Sequence, residues 1–271
     1  MIIEAGLTRY EAVNEEIEKQ LKKQNKVTVK DVNGQRYIGC ALDEGKTVEV
    51  YGTPGNDMAC YLNGGRVVVY GNCQDAVGNT MGGGEIVVHG HSGDAMGYGM
   101  RDGQIYIRDN VACRGGIHMK EFRQMRPVLV IGKNAGSFLG EYMAGGTIVL
   151  LGLDMKRGEK LFGTHCASGM HGGKIFVRGS FPKENISDNI KVQNLDETDK
   201  KIIAAAGAYK NKTIIMYNNI SFDEADKKEL DMYIKKYCKF FNADYNTIMA
   251  KPFKKLVPAS SRPYANLYTP N

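Results

Sequence analysis

Five histidines (His89, His91, His118, His165 and His171) and six cysteines (Cys40, Cys60, Cys73, Cys113, Cys166 and Cys238) are the side chains here best suited to bind a metal or attack a carbonyl. A zinc enzyme needs histidines that converge on one ion and leave a position open for water. His89 and His91 flank Gly90, and no third ligand stands at a matching spacing. The adjacent His165 and Cys166 invite a hydrolase reading. A thiol nucleophile, however, needs a base that is itself oriented, and Cys166 falls among positions that read as buried. Asn56, Asp75, Asp94, Ser137 and Thr164 recur in step and suggest a calcium ladder. Calcium takes six to eight oxygens, and this column offers about one carboxylate per step before fading to Ser and Thr, so turn capping is the better account. Gly82-Gly83-Gly84 resembles a phosphate loop, yet it precedes a strand pattern where a phosphate loop would open a helix. No catalytic constellation emerges, and no cofactor or metal is expected on this chain.

The elements that hold these residues follow from a repeat. Aligned on the residue that ends each apolar run, Gly52, Gly71, Gly90, Asp109, Gly132, Gly152 and Gly179 lie 19, 19, 19, 23, 20 and 27 residues apart. Two and four residues before each stand Val50/Val48, Val69/Val67, Val88/Ile86, Ile107/Ile105, Val130/Val128, Leu150/Ile148 and Val177/Ile175. Branched aliphatics at period two mark a strand with one face inward, and their recurrence once per step marks a solenoid. The spacing predicts an all-β fold, a parallel β-helix with one strand per coil. Gly65, Gly84, Gly103, Gly146 and Gly173 precede the strands, where positive φ permits a sharp turn. Leu62, Met81, Met100, Met119, Met143 and Met170 form a further column; Met stacked on Met reads as core filling rather than a copper site.

Three segments are predicted: an N-terminal helical cap (1–29), the β-helix (30–180), and a C-terminal helical cap with an extended tail (181–271). Thr8 with Glu11 reads as a capping box before the stripe Tyr10, Val13, Ile17 and Leu21; Ser221 with Glu224 reads the same way before Leu230, Ile234, Tyr237 and Phe241. Leu129, Ile131, Val149 and Leu151 read as outward-facing yet apolar, so either the C-terminal helix or a partner covers them. The two longest coils carry basic insertions, one of which presents Lys120, Arg123 and Arg126. That flank is the expected partner interface.

Composition narrows the class further. Thirty-three glycines against seven prolines, with 42% apolar residues and no Trp, describe a folded protein with an unusual demand for glycine. The charge of +6 is not gathered into a basic arm, which argues against nucleic-acid binding. No apolar run reaches the roughly eighteen residues of a membrane span. Scattered cysteines and an N-terminus without an apolar signal segment fit the cytoplasm.

Three stretches carry a family resemblance. They are Val32-Asn33-Gly34-Gln35-Arg36-Tyr37-Ile38-Gly39, Gly93-Asp94-Ala95-Met96-Gly97-Tyr98-Gly99-Met100-Arg101-Asp102-Gly103, and Gly136-Ser137-Phe138-Leu139-Gly140-Glu141-Tyr142-Met143-Ala144-Gly145-Gly146. They resemble the GXGXG domain, found as the C-terminal domain (domain 3) of the glutamate synthase large (alpha) subunit and within formylmethanofuran dehydrogenase. The likeness is strongest over residues 30–180; with the N-terminal helix and the tail from Ser260 to Tyr268, the chain is similar to a stand-alone form of this domain. The resemblance implies a right-handed, single-stranded β-helix and a scaffolding role in a split glutamate synthase. Glutamine hydrolysis there needs an N-terminal cysteine, and this chain begins Met1-Ile2-Ile3. FMN and an iron–sulfur cluster are therefore expected on partner subunits, alongside a glutamine amidotransferase; self-association is compatible with this. An assembly module of another oxidoreductase, of the formylmethanofuran dehydrogenase kind, is the alternative. Asp109 and the two long coils depart from the pattern.

Overall fold

A computed structural model describes residues 1–181, 183–187, 190–193 and 223–262. Among these residues nine strands pair in parallel in chain order: β1 (Ile2–Glu4), β2 (Lys26–Asn33), β3 (Thr47–Thr53), β4 (Asn63–Tyr70), β5 (Gly82–Val88), β6 (Asp102–Ile107), β7 (Val128–Ile131), β8 (Ala144–Leu150) and β9 (Gly172–Arg178). Beyond β9 lies β11 (Phe253–Pro258), antiparallel to it, and outermost is β10 (Ile190–Gln193), antiparallel to β11. Three α-helices among the described residues accompany the sheet: α1 (Tyr10–Leu21), α2 (Glu224–Phe241) and α3 (Tyr245–Met249). The fold is a parallel β-helix built from one strand per coil.

Six of the seven aliphatic pairs face inward as predicted, and Val48, Val67, Ile86, Ile105, Ile148 and Ile175 are wholly buried in one continuous core. The exception is β7, where register settles the phase: Leu129 pairs between Ile105 and Ile148, and Ile131 between Ile107 and Leu150. Leu129 and Ile131 therefore belong to the interior, while Val128 and Val130 face out. The expectation for Leu129 and Ile131 is overturned. Val128-Leu129-Val130-Ile131 is apolar at every position, so period two cannot fix its phase. Gly132 is the neighbour of Arg108, and the true counterpart of Asp109 is Lys133, whose ammonium lies 3.2 Å from the Asp109 carboxylate. An ion pair thus replaces glycine in that column.

The predicted columns take recognisable physical form. Leu62 and the five methionines below it are fully buried. Asn56 Oδ1, Asp75 Oδ1, Asp94 Oδ1 and Ser137 Oγ each accept a backbone N–H from the next coil, at 3.3, 2.8, 2.8 and 3.1 Å. The polar column is thus a capping ladder. The five glycines expected ahead of the strands lie instead within the first three residues of β4, β5, β6, β8 and β9; Gly84, Gly103, Gly146 and Gly173 adopt positive φ, whereas Gly65 does not. At that turn Gly64 takes φ of 97°, and Gly65 is required because a Cβ would lie 2.7 Å from the Leu42 carbonyl oxygen.

The two ends of the parallel ladder are finished differently. The sheet begins at β1, inside the segment expected to be a helical cap, and α1 connects two strands of it. Val13, Ile17 and Leu21 bury the predicted stripe, but the capping box is absent: the N-cap is Arg9, with no side-chain cap. Lys46 Nζ instead secures the other end of α1, donating to the Leu21 carbonyl at 2.7 Å. At the far end β11 covers the edge of β9, so the C-terminal region adds strands as well as helices. The N-cap of α2 is Asp223, which accepts from Asp226 N at 2.7 Å. Ser221 and the tail beyond Arg262 lie outside the described residues.

Candidate functional site

The outer face of the sheet is where sequence left the choice between a partner and the chain's own helix. Helix α2 occupies it. Leu230, Tyr233, Ile234 and Tyr237 pack on Tyr106, Val128, Val130, Val149, Leu151 and Phe176, a second apolar cluster separate from the solenoid core. Polar contacts fix the helix in register. Tyr237 Oη donates to the Arg108 carbonyl at 3.0 Å, and Lys236 Nζ to Gln104 Oε1 at 2.7 Å. Glu229 accepts from Thr147 Oγ1 at 2.8 Å and from Tyr233 Oη at 2.9 Å.

Asp226 is almost fully buried, at 3% side-chain exposure, and sits between Lys174 and Lys255. Burial pushes its carboxyl up, but Lys255 and Lys174 outweigh that and hold it below the usual range. Arg178, also buried, donates to the carbonyls of Ile248, Thr247 and Leu151 at 2.6, 2.9 and 3.2 Å, which ties α3 to the sheet. Burial lowers its pKa.

What remains open is the loop between β6 and β7. Its tip folds back on itself through mutual backbone bonds of 3.0 Å between Phe122 and Met125. Glu121 Oε2 accepts from Gly146 N at 2.9 Å and Asp102 Oδ1 from Arg126 N at 3.0 Å, which anchors both sides of the tip. Lys120, Arg123 and Arg126 are exposed, as are Phe122 (56%) and Met125 (37%). The Arg123 guanidinium lies 5.0 Å from the Phe122 ring centre. Of the predicted interface residues, then, the three cations are brought together at the surface. Val149 and Leu151 are under α2, and Leu129 and Ile131 are inside the solenoid. Sequence reasoning passed over Phe122 and Met125, although two large apolar residues in a charged insertion were a readable signal.

The candidate nucleophile is unsuited to its chemistry. Cys166 is inside the core, with its thiol pushed up to about 12 by burial, while His165 is exposed and stacks on Phe138 at 4.9 Å. His89 is held between Tyr70 and Phe241, at ring distances of 4.8 and 5.1 Å. Among the described residues no group of three or more His, Cys, Asp or Glu is placed to hold a metal ion. Nor is any helix among them long and apolar enough to cross a membrane.

This arrangement of glycine-cornered coils agrees with a family comparison. The chain matches the GXGXG motif family over residues 10–206. It belongs to the GXGXG family. That family is the one of the glutamate synthase C-terminal domain. A relative, an uncharacterized protein of Methanocaldococcus jannaschii, is 38% identical over 280 aligned residues, which cover 100% of this chain and 97% of the relative.

Proposed function

We propose that this GXGXG chain is a scaffolding component of a glutamate synthase-type complex, without catalytic residues of its own. It packs a glutamine amidotransferase chain and an FMN-bearing synthase chain together, so that amide nitrogen released by the first reaches 2-oxoglutarate at the second. The family match over the solenoid carries this reading. Two further observations support it. The relative from M. jannaschii is matched over 97% of its length, which leaves it no room for an amidotransferase or an FMN barrel. Among the described residues one core cluster joins members from Ala5 to Leu256, which suits a body that holds two other chains at a fixed separation. On this reading FMN and the iron–sulfur cluster reside on a partner, in the cytoplasm.

The experiment is affinity purification of the tagged chain from its native host. The expected complex contains one chain that hydrolyses glutamine and one that carries FMN, and the chain alone binds neither FMN nor iron. Stoichiometric FMN on the isolated chain, or co-purified partners with neither property, contradicts the reading.

A further inference from the structure

On the glycine-cornered flank of the solenoid, the chain turns through residues in the left-handed region. One such column runs Tyr61, Thr80, Gly99, His118 and Tyr142, with φ of 55°, 53°, 60°, 56° and 51°. Four of these five carry side chains at the same backbone angle, so the turn itself does not require glycine at position 99. Space does not require it either: a Cβ there would meet only Thr80 Oγ1 at 3.7 Å and Arg101 Nη1 at 3.9 Å, ordinary contacts. The missing side chain has another consequence. It opens a cleft of about 400 Å³ whose lining includes Tyr98, Arg101, His118, Lys120, Tyr142 and His171.

The lining contains no carboxylate. Four nitrogen-bearing side chains from three coils converge on it, and among the described residues none of them has an ion-pair partner. Arg101 is pre-set: Nη1 donates to the carbonyls of Gly99 and, at 3.1 Å, of His118. His118 is clamped in a ring stack with Tyr142 at 5.3 Å and meets the edge of Tyr98 at 5.8 Å. His171 is held by Nδ1 against the Gly169 carbonyl at 3.1 Å. Fixed donors lose little freedom on binding, and an oriented guanidinium beside an ammonium is the group set that recognises oxyanions.

We propose that this cleft binds a small-molecule oxyanion, a carboxylate or a phosphate compound, with Arg101 and Lys120 as the charged contacts and Gly99 as the residue that keeps it open. The site shares Lys120 with the candidate docking loop, but anion binding does not depend on the partner-holding role.

The test titrates the full chain with inorganic phosphate, pyrophosphate and citrate at constant ionic strength, following the ring resonances of His118 and His171 by NMR. At least one probe is expected to give saturable shifts with Kd below about 1 mM, and the probe that responds identifies the anion class. Gly99→Asn fills the cleft with a residue tolerant of positive φ. It should weaken binding at least about tenfold with an unchanged melting temperature, as should Arg101→Gln and Lys120→Gln singly. Lys156→Gln, in the other basic insertion, should bind as wild type. Absence of saturation for all three probes, or undiminished binding in folded Arg101→Gln and Lys120→Gln, overturns the proposal; these two variants decide the matter if Gly99→Asn does not fold.

Discussion

The hydroxyl of Tyr237 reaches the carbonyl of Arg108 at 3.0 Å by passing over Gly132, where a Cβ would fall 2.0 Å from that hydroxyl and 2.0 Å from the same carbonyl oxygen. The glycine that reads in the sequence as the end of a strand therefore makes room for a helix residue more than a hundred positions later. Gly132→Ala should displace both the Tyr237 hydroxyl and the Arg108 carbonyl, and the loss of their partly buried hydrogen bond should alone cost about 1–3 kcal/mol. Urea unfolding is the measurement, with limited proteolysis reporting whether α2 lifts first. Tyr237→Phe in the Gly132→Ala background should cost little more, because the bond is already lost.

A second prediction separates the two faces of β7. Leu129→Asp places a carboxylate inside the solenoid, where nothing pairs with it, and should destabilise the protein by several kcal/mol, with loss of β-structure by circular dichroism. Val130→Asp places it between sheet and α2. That variant should keep its β-structure and expose α2 to protease. The same response from both variants would contradict the assigned phase.

These two residues also show what sequence could and could not convey. In coils such as Ile86-Val87-Val88 the inward pair was legible because the glycines on both sides hold the 19-residue step. In β7 the insertion broke the step, and four consecutive apolar residues suit either phase. The stripe on α2 was legible as an amphipathic helix, but a stripe does not say what it covers; only Tyr106, Val128, Val130, Val149, Leu151 and Phe176, apolar or aromatic and buried on the outer face of neighbouring coils, reveal its footprint. The cleft at Gly99 was hidden for the opposite reason. Among 33 glycines, one that shapes a surface looks like those that shape a turn.

The third prediction concerns pH. The folded carboxyl of Asp226 titrates below its ordinary value, so the unfolded chain takes up the proton first. Its stabilising contribution is whole above about pH 4 and is lost as pH falls through the depressed folded value. For Lys174, burial lowers the pKa, but Glu229 and Asp226 raise it overall. That contribution is whole below about pH 10 and is lost as pH rises through the elevated value. Asp226→Asn should cost about 2–4 kcal/mol at neutral pH, by leaving two lysines short of a partner, and should flatten the acid limb of stability. Denaturation midpoints between pH 3 and 7 test this, and an acid limb as steep as in wild type would count against the assignment.

The last prediction addresses docking at the loop between β6 and β7. Since α2 already covers the apolar strands, an interface on this flank must use the loop tip itself. Phe122 and Met125 supply an apolar centre, and Lys120, Arg123 and Arg126 its charged rim, the arrangement common to protein interfaces. The tip is held by Glu121 to Gly146 and by Arg126 to Asp102 through backbone amides, so side-chain substitutions beyond those anchors leave the loop shape intact. Rim charges act chiefly on association rate and its salt dependence, whereas a buried apolar anchor acts on dissociation. Changing Lys120, Arg123 and Arg126 to Glu should therefore slow assembly with the amidotransferase or FMN chain at low salt, with the difference shrinking at high salt and the melting temperature nearly constant. Phe122→Ala should speed dissociation at either salt. The Arg123→Glu/Arg126→Glu double variant keeps Lys120 and so separates docking from anion binding at the Gly99 cleft: it should assemble slowly yet bind the anion as wild type. Association kinetics unchanged in the triple variant at low salt would remove this loop from the interface.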